Sequence, residues 1–173
     1  ILGPEMKSTG EVMGTGETFG EAYAKAQLGQ GVKLPSRGTV FISVRDRDKP
    51  NAVKLGRSLL ERGFRLIATD GTAKYLVENG LACKRINKVR EGRPHVVDMI
   101  KNQEVALIVN TTEGKKAIRE SRAIRSAAVH NAVTYYTTTS AGLATITALD
   151  NIAANQVNSL QDLHKRIGRQ KSS

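Results

Sequence analysis

The chain has 173 residues, enough for one ordinary domain with a full core and an appendage. It carries 27 Lys+Arg against 16 Asp+Glu, a formal charge of +11, which favours anionic partners. With 4% aromatic residues and no Trp it lacks the stacking platforms of a single-strand binder, and its basic residues are scattered rather than gathered in a tail, so nucleic acid is not the expected partner.

The hydrophobic fraction of 39% and mean hydropathy of −0.33 are those of a water-soluble globular chain. No stretch approaches the roughly 18 consecutive apolar residues of a membrane span, and no secretory signal is recognisable. The one cysteine, Cys83, excludes an internal disulfide and a cysteine-rich metal site, and fits a reducing, cytoplasmic setting. The chain begins ILGPEM without an initiator Met and is expected to be part of something longer.

In chain order, MGTGETFG (13–20) has the glycines of a dinucleotide loop at the wrong spacing and with no apolar strand before them. ETFGEAYAKAQLG (17–29) reads as helix, and GQGVKLPSRG (29–38) as linker. A regular alternation then begins. TVFISV (39–44) reads as a buried strand, and residues 50–62 as a helix with Val53, Leu59 and Leu60 on one side and Gly63 as its stop. FRLIA (64–68) is a second strand, TAKYLVEN (72–79) a helix ended by Gly80, and ACKRINKV (82–89) a weaker strand. RPHVVDMIKN (93–102) reads as helix, VALIV (105–109) as strand, residues 114–131 as a long helix, and AVTYY (132–136) as the last strand. Helices follow at about 140–153 and 159–167. Five alternations predict an α/β fold with a parallel sheet covered on both faces.

In such a sheet ligands sit beyond the carboxyl ends of the strands. Three polar loops are collected there: SVRDRDK (43–49), ATDGT (68–72) and VNTTEGKK (109–116). They supply hydroxyls, an amide, a flexible glycine, helix starts and lysines at 49, 115 and 116, with Lys88 from a further strand end. Those ingredients suit a phosphate monoester. Thr and Asn are also routine helix caps, and surface lysines are usually solvated. Three such loops at adjacent strand ends favour the anion site over three separate caps.

Catalytic machinery is sparse. His95, His130 and His164 have no nucleophile beside them and read as structural or solvated, with His95 placed to meet a ligand at a pocket mouth. No His/Asp/Glu cluster has metal-ligand spacing. Asp70 and Glu113 lie in the polar loops, where a carboxylate can serve as a base but is more often a cap or a partner of lysines, and Cys83 reads as a small buried hydrophobe.

The stretches SVRDRDK, GFRLIATDGTAKYL, INKVREGRPHVVDMIKN and IVNTTEGKKAIRESRAIRSAAV, in this order, resemble the methylglyoxal-synthase-like domain. More narrowly, they resemble the version at the carboxyl end of bacterial carbamoyl-phosphate synthetase large subunits. The upstream LGPEMKSTGEVMGTGETFGEAYAKAQLG is similar to the end of that subunit's second ATP-grasp half. The resemblance implies that residues 1–36 are that tail plus a linker, and that residues 37–173 are a three-layer regulatory domain with a five-stranded parallel sheet. It implies a pocket for nucleoside monophosphates, UMP as inhibitor and IMP as activator. Carried over by motif, Lys49, Thr69, Gly71, Thr72 and Lys88 hold the phosphate. Asn110, Thr111 and Thr112 reach phosphate or ribose, Ser121 reaches ribose or base, and Val89, Val96 and Ile124 wall the base.

A second, ornithine site is implied at Tyr135 and Thr137, with Tyr136 standing where the family has Asp. The implied parent uses ATP with Mg²⁺ or Mn²⁺ in its ATP-grasp halves and pairs with a glutaminase small subunit. It makes carbamoyl phosphate for pyrimidine and arginine synthesis. No cofactor is implied for the present chain. The catalytic aspartates of methylglyoxal synthases correspond to Arg93 and Thr112 here, which leaves proton abstraction without its family base. An active synthase, or an IMP-cyclohydrolase-like enzyme on the same fold, is the competing expectation.

Overall fold

The computed structural model describes residues 35, 37–147, 149 and 150. The expected helices at 17–29 and 159–167, and His164, lie outside the described residues. The elements are β1 (Thr39–Ser43), α1 (Lys49–Glu61), β2 (Arg65–Ala68), α2 (Asp70–Glu78), β3 (Cys83–Arg85), α3 (Val96–Lys101), β4 (Leu107–Asn110), α4 (Gly114–His130) and β5 (Thr134–Tyr136). Residues 139–147 are helical again. The described elements up to Ile146 belong to one compact unit.

All four strand pairings are parallel and the order is β3-β2-β1-β4-β5. The strands are legible because of where they sit. β1 and β4 are central and covered on both faces, so TVFIS and LIVN are apolar almost throughout and nearly every residue is buried. β3 and β5 are the edges, and each shrinks to three residues, all at least partly exposed in β3 and two of three in β5. That is why ACKRINKV carries a weak strand signal: Lys84 and Arg85 are on an open edge. Cys83 is there too and is half-buried rather than a core residue; what burial it has pushes its thiol up to about 11, so it stays protonated at neutral pH.

α1 and α2 cover one face of the sheet. α1 starts with Pro50 in its first turn, where the missing N–H costs nothing. Its buried stripe is Ala52, Leu55, Gly56 and Leu59, an i, i+3, i+4, i+7 set. This differs from the side expected around Val53 and Leu60, which flank the stripe half-buried. Gly56 is the reason for the rotation: a Cβ there would stand 3.1 Å from both Leu66 and Leu81, so the helix sits close to the sheet at its one residue without a side chain. Gly63 stops α1 at φ +80°, with Gly63 N–H donating to the Leu60 carbonyl at 2.9 Å. The helical stretch around Gly142 lies against the same face: a Cβ on Gly142 would stand 3.2 Å from Leu55 and Val109.

α3 and α4 cover the other face. Phe41, Ile67 and Ile108 from the sheet meet Val96 and Ile100 of α3 and Ile124, Ala127 and Ala128 of α4 in one buried cluster. The chain moves from β1 outward to β2 and β3 through α1 and α2. It then crosses back to β4, on the other side of β1, and leaves through α4 on the opposite face. β1 and β4 are therefore neighbours whose continuations part in opposite directions, the crevice where ligands bind in open parallel sheets.

Ile108 is fully buried at the centre of that cluster. Ile108→Ala is expected to lower the unfolding free energy by about 3 kcal/mol, read as a lower urea midpoint at unchanged slope. A loss under about 1 kcal/mol would mean that this face is not the main core.

Candidate functional site

The last paired residues of β1 and β4 are Ser43 and Asn110, in register with each other. The chain after Ser43 runs through Arg45 into a short 3₁₀ turn, Asp46–Asp48, and so to Lys49. The chain after Asn110 runs through Thr111 to Glu113 and into α4. Between these two departures lies a cavity of about 260 Å³. All twelve residues expected at a nucleotide site line it: Lys49, Thr69, Gly71, Thr72, Lys88, Val89, Val96, Asn110, Thr111, Thr112, Ser121 and Ile124. They come from five separate stretches of sequence, and the topology alone brings them together.

Several of the hydroxyls are engaged in holding the loops in place. Ser43 Oγ and Thr69 Oγ1 are 3.0 Å apart. Thr72 Oγ1 accepts from the Val44 N–H at 3.2 Å and donates to the Val44 carbonyl at 3.4 Å. Thr111 Oγ1 accepts from the Arg45 N–H at 3.1 Å, and the Thr111 N–H donates to the Ser43 carbonyl at 2.9 Å. The β1 loop is thus stapled to the β2 loop on one side and to the β4 loop on the other.

This engagement bears on the capping alternative. Thr69 is the residue before α2, but its side chain makes no capping hydrogen bond, because its hydroxyl is on Ser43. Glu113, before α4, makes none either. Helix starts leave N–H groups without intrahelical partners and carry partial positive charge. Here two of them, with Gly71 and Thr112 among the lining residues, adjoin one cavity.

Lys49 is 2.7 Å from Asp46 Oδ1, and its ammonium stands 5.6 Å from the centre of the Tyr75 ring. The Lys49 hydrogen bond and charge hold the Asp46 carboxyl below its ordinary value. Burial pushes the Asp48 carboxyl up, but hydrogen bonds from Arg45 and Thr111 and the charges of Arg45 and Arg47 outweigh it and keep it low. Arg45 Nε meets Asp48 Oδ2 at 2.6 Å, which braces the turn that delivers Lys49.

Three lining residues, Phe41, Ala117 and Glu120, lie outside the three polar loops, and Ser43, Val44, Arg45 and Asp46 lie within the first loop without having been singled out. Ala117, Glu120, Ser121 and Ile124 share one face of α4, so helical spacing from Ser121 would have found them. The cavity also holds carboxylates. Asp46 is on Lys49, Glu120 is 3.9 Å from Arg90, and Glu113 lines the wall, whereas Asp70 turns away to Arg85 at 3.0 Å.

The remaining candidates fall elsewhere. His95 is buried before α3, its Nδ1 3.3 Å from Asp98 Oδ2, and is not among the lining residues. Arg93 reaches Asp98 at 3.4 Å and is also outside the cavity. His130 is exposed at the end of α4. Lys115 and Lys116 lie in the first turn of α4, and their side chains are outside the described residues. Tyr135 bonds to Asn110 and Ser121, Thr137 is exposed beyond β5, and Tyr136 between them is buried. Among the described residues no His, Cys, Asp and Glu group is arranged to hold a metal ion, and no helix is long and apolar enough to cross a membrane.

The sequence model of the family described as MGS-like domain matches residues 51–137. The carbamoyl phosphate synthase large chain of Pseudomonas syringae pv. tomato is 57% identical over 164 residues, 95% of this chain and 15% of that protein. That of Xanthomonas axonopodis pv. citri is 52% identical over 167 residues, 96% of this chain and 16% of that protein. The chain therefore spans about 15% of the length of the curated relatives it matches. Among solved structures, a methylglyoxal synthase from Elizabethkingia anophelis superposes with a TM-score of 0.50 at 21% identity, covering 66% of this chain and 80% of that one. At that identity the likeness is one of fold.

Gly71 tests the helix-start half of the site. A Cβ there would meet Lys49 Nζ at 3.8 Å, an ordinary contact. Gly71→Ala is expected to leave the melting temperature unchanged or slightly raised. Binding of inorganic phosphate, followed by NMR shift titration, is expected to weaken roughly 10-fold as the methyl group blocks a charge-assisted N–H contact. Undiminished binding would place the anion away from α2.

Proposed function

The chain belongs to the MGS-like domain family, and from that footing we propose that it is the effector-sensing end of a carbamoyl phosphate synthase large chain, with its cavity made for a nucleoside monophosphate. The observation that carries the reading is the cavity's two-ended chemistry. Toward β2, Lys49, Gly71 and the start of α2 offer cations and N–H groups, joined by Lys88 from the loop after β3. Toward α3 and α4, Phe41, Val89, Val96 and Ile124 offer an apolar wall. A phosphomonoester bearing a flat, largely apolar base matches both ends, whereas a triose phosphate leaves the apolar end unused. In this reading Asn110, Thr112 and Ser121 meet the ribose between them.

UMP and IMP are the effectors proposed, with UMP inhibiting and IMP activating. Carbamoyl phosphate synthesis itself, with ATP and its divalent metal, is proposed for the ATP-grasp halves of the parent chain, fed by a glutaminase small subunit. The carboxylates of the cavity support sensing over conversion. Two of them are engaged, Asp46 on Lys49 and Glu120 at 3.9 Å from Arg90, and Thr112 offers no base. A proton-abstracting carboxylate needs to be unpaired and aimed at the substrate. The ornithine reading has less support, since the Tyr135 hydroxyl is already occupied on the effector side.

Lys88 is exposed, so its removal does not disturb the core. Calorimetric titration with UMP and IMP is expected to give saturable binding that Lys88→Ala weakens about tenfold. Dihydroxyacetone phosphate serves as the control and is expected to remain unconsumed. Turnover of the triose phosphate would replace this reading with the synthase one, and unchanged nucleotide affinity in Lys88→Ala would remove Lys88 from the site.

A further inference from the structure

We infer that Tyr135 is a positioning residue for the nucleoside half of the ligand, acting through Asn110 and Ser121 rather than by contact. The inference rests on the proposed nucleoside monophosphate site. Asn110 Nδ2 donates to Ser121 Oγ at 2.7 Å and to Tyr135 Oη at 2.9 Å, and the two hydroxyls are 3.3 Å from each other. The three groups close a triangle in which each has two partners. Asn110 is 5% exposed, so the orientation of its amide is governed by these partners and not by solvent. Asn110 and Ser121 line the cavity, but Tyr135 does not.

The triangle lies on one side of the site for a structural reason. Tyr135 is in register with Ile108, two residues before Asn110, so both it and Asn110 face the α3–α4 layer. Ser121 is on α4 one turn before Ile124. The network therefore adjoins the apolar wall of Val96 and Ile124, whereas Thr69, Gly71 and Thr72 lie across β1, at the end of β2. The Tyr135 ring is separately fixed, with the Arg125 guanidinium 5.3 Å from its centre. A ligand group lodged between Asn110 and Ser121 meets an amide and a hydroxyl whose free valences have been set from behind by the Tyr135 hydroxyl. The phosphate end has no such dependence.

The test uses the whole chain in four forms: parent, Tyr135→Phe, Ser121→Ala and the double variant. Phe keeps the ring and its Arg125 contact and removes only the hydroxyl. UMP, IMP and inorganic phosphate are titrated against each, with the melting temperature confirming the fold. Tyr135→Phe is expected to weaken both nucleotides about tenfold, the effect of one lost hydrogen bond to a buried group, and to leave inorganic phosphate within about twofold. The double variant is expected to bind the nucleotides little more weakly than Ser121→Ala, because both changes break one network. Full nucleotide affinity in Tyr135→Phe overturns the inference. So do equal losses for nucleotide and phosphate, which mark a general structural role, and fully additive losses, which mark two independent contacts. A parent chain that binds phosphate but neither nucleotide overturns the nucleoside reading of the cavity itself, and the inference with it.

Discussion

The register of β1 against β4 sets Ser43 opposite Asn110, and the cavity follows from what the chain does after those two residues. One continuation turns toward β2 and the other toward β5, so backbone that was paired up to that point separates and leaves polar groups facing each other across a gap. The protein closes part of that gap itself. Thr111 takes the Arg45 N–H, Thr72 takes the Val44 N–H, and Ser43 meets Thr69. Each is a modest interaction in net stability, on the order of 1 kcal/mol, but leaving the buried donor unpaired costs more. The loops are consequently held before any ligand arrives. A site whose loops are already ordered spends little of its binding free energy on ordering them.

The same hydroxyls explain why the helix starts remain open. A threonine before a helix ordinarily folds its side chain back onto the first N–H groups. Thr69 instead reaches sideways to the neighbouring strand, and α2 begins without a side-chain cap. The cross-strand bond and the exposed helix start are two consequences of one side-chain choice. Asn110 makes a comparable choice on the far side, giving both amide hydrogens to Ser121 and Tyr135.

Much of this is legible in the amino-acid order, and the parts that are not have definite causes. Central strands such as LIVN announce themselves because burial on both faces demands unbroken apolar runs. Edge strands do not, since Lys84 and Arg85 can point to solvent without penalty. The three loops are recognisable by composition, but which of their hydroxyls face the gap and which staple the loops is a matter of angles that no spacing encodes. Glu120 and Ala117 follow from helical periodicity once Ser121 is known to face inward, and that fact comes only with the fold. The buried stripe of α1 keeps Leu59 but centres away from Val53 and Leu60 for a related reason. Pattern reading looks for large side chains, and the helix packs most closely where Gly56 has none. Tyr135 is a further case: the motif resemblance assigns it to a second ligand, and only the fold shows its hydroxyl bonded to Asn110 and Ser121.

The excess positive charge of the chain does not translate simply into affinity at this site. Lys49 is already paired with Asp46 at 2.7 Å, and Arg45 with Asp48 at 2.6 Å. An anion that reaches Lys49 therefore exchanges one carboxylate for another partner, and the gain is the difference between two ion pairs rather than the whole of the new one. That exchange is inexpensive on the carboxylate side, because the Asp46 side chain is 94% exposed and water takes up its charge readily. Held in this way, Lys49 stays above Gly71, where a Cβ would come within 3.8 Å of its ammonium. The pairing thus trades some raw electrostatic attraction for a cation already in position, and selectivity passes to the groups that read shape and hydrogen bonds on the far side of the cavity.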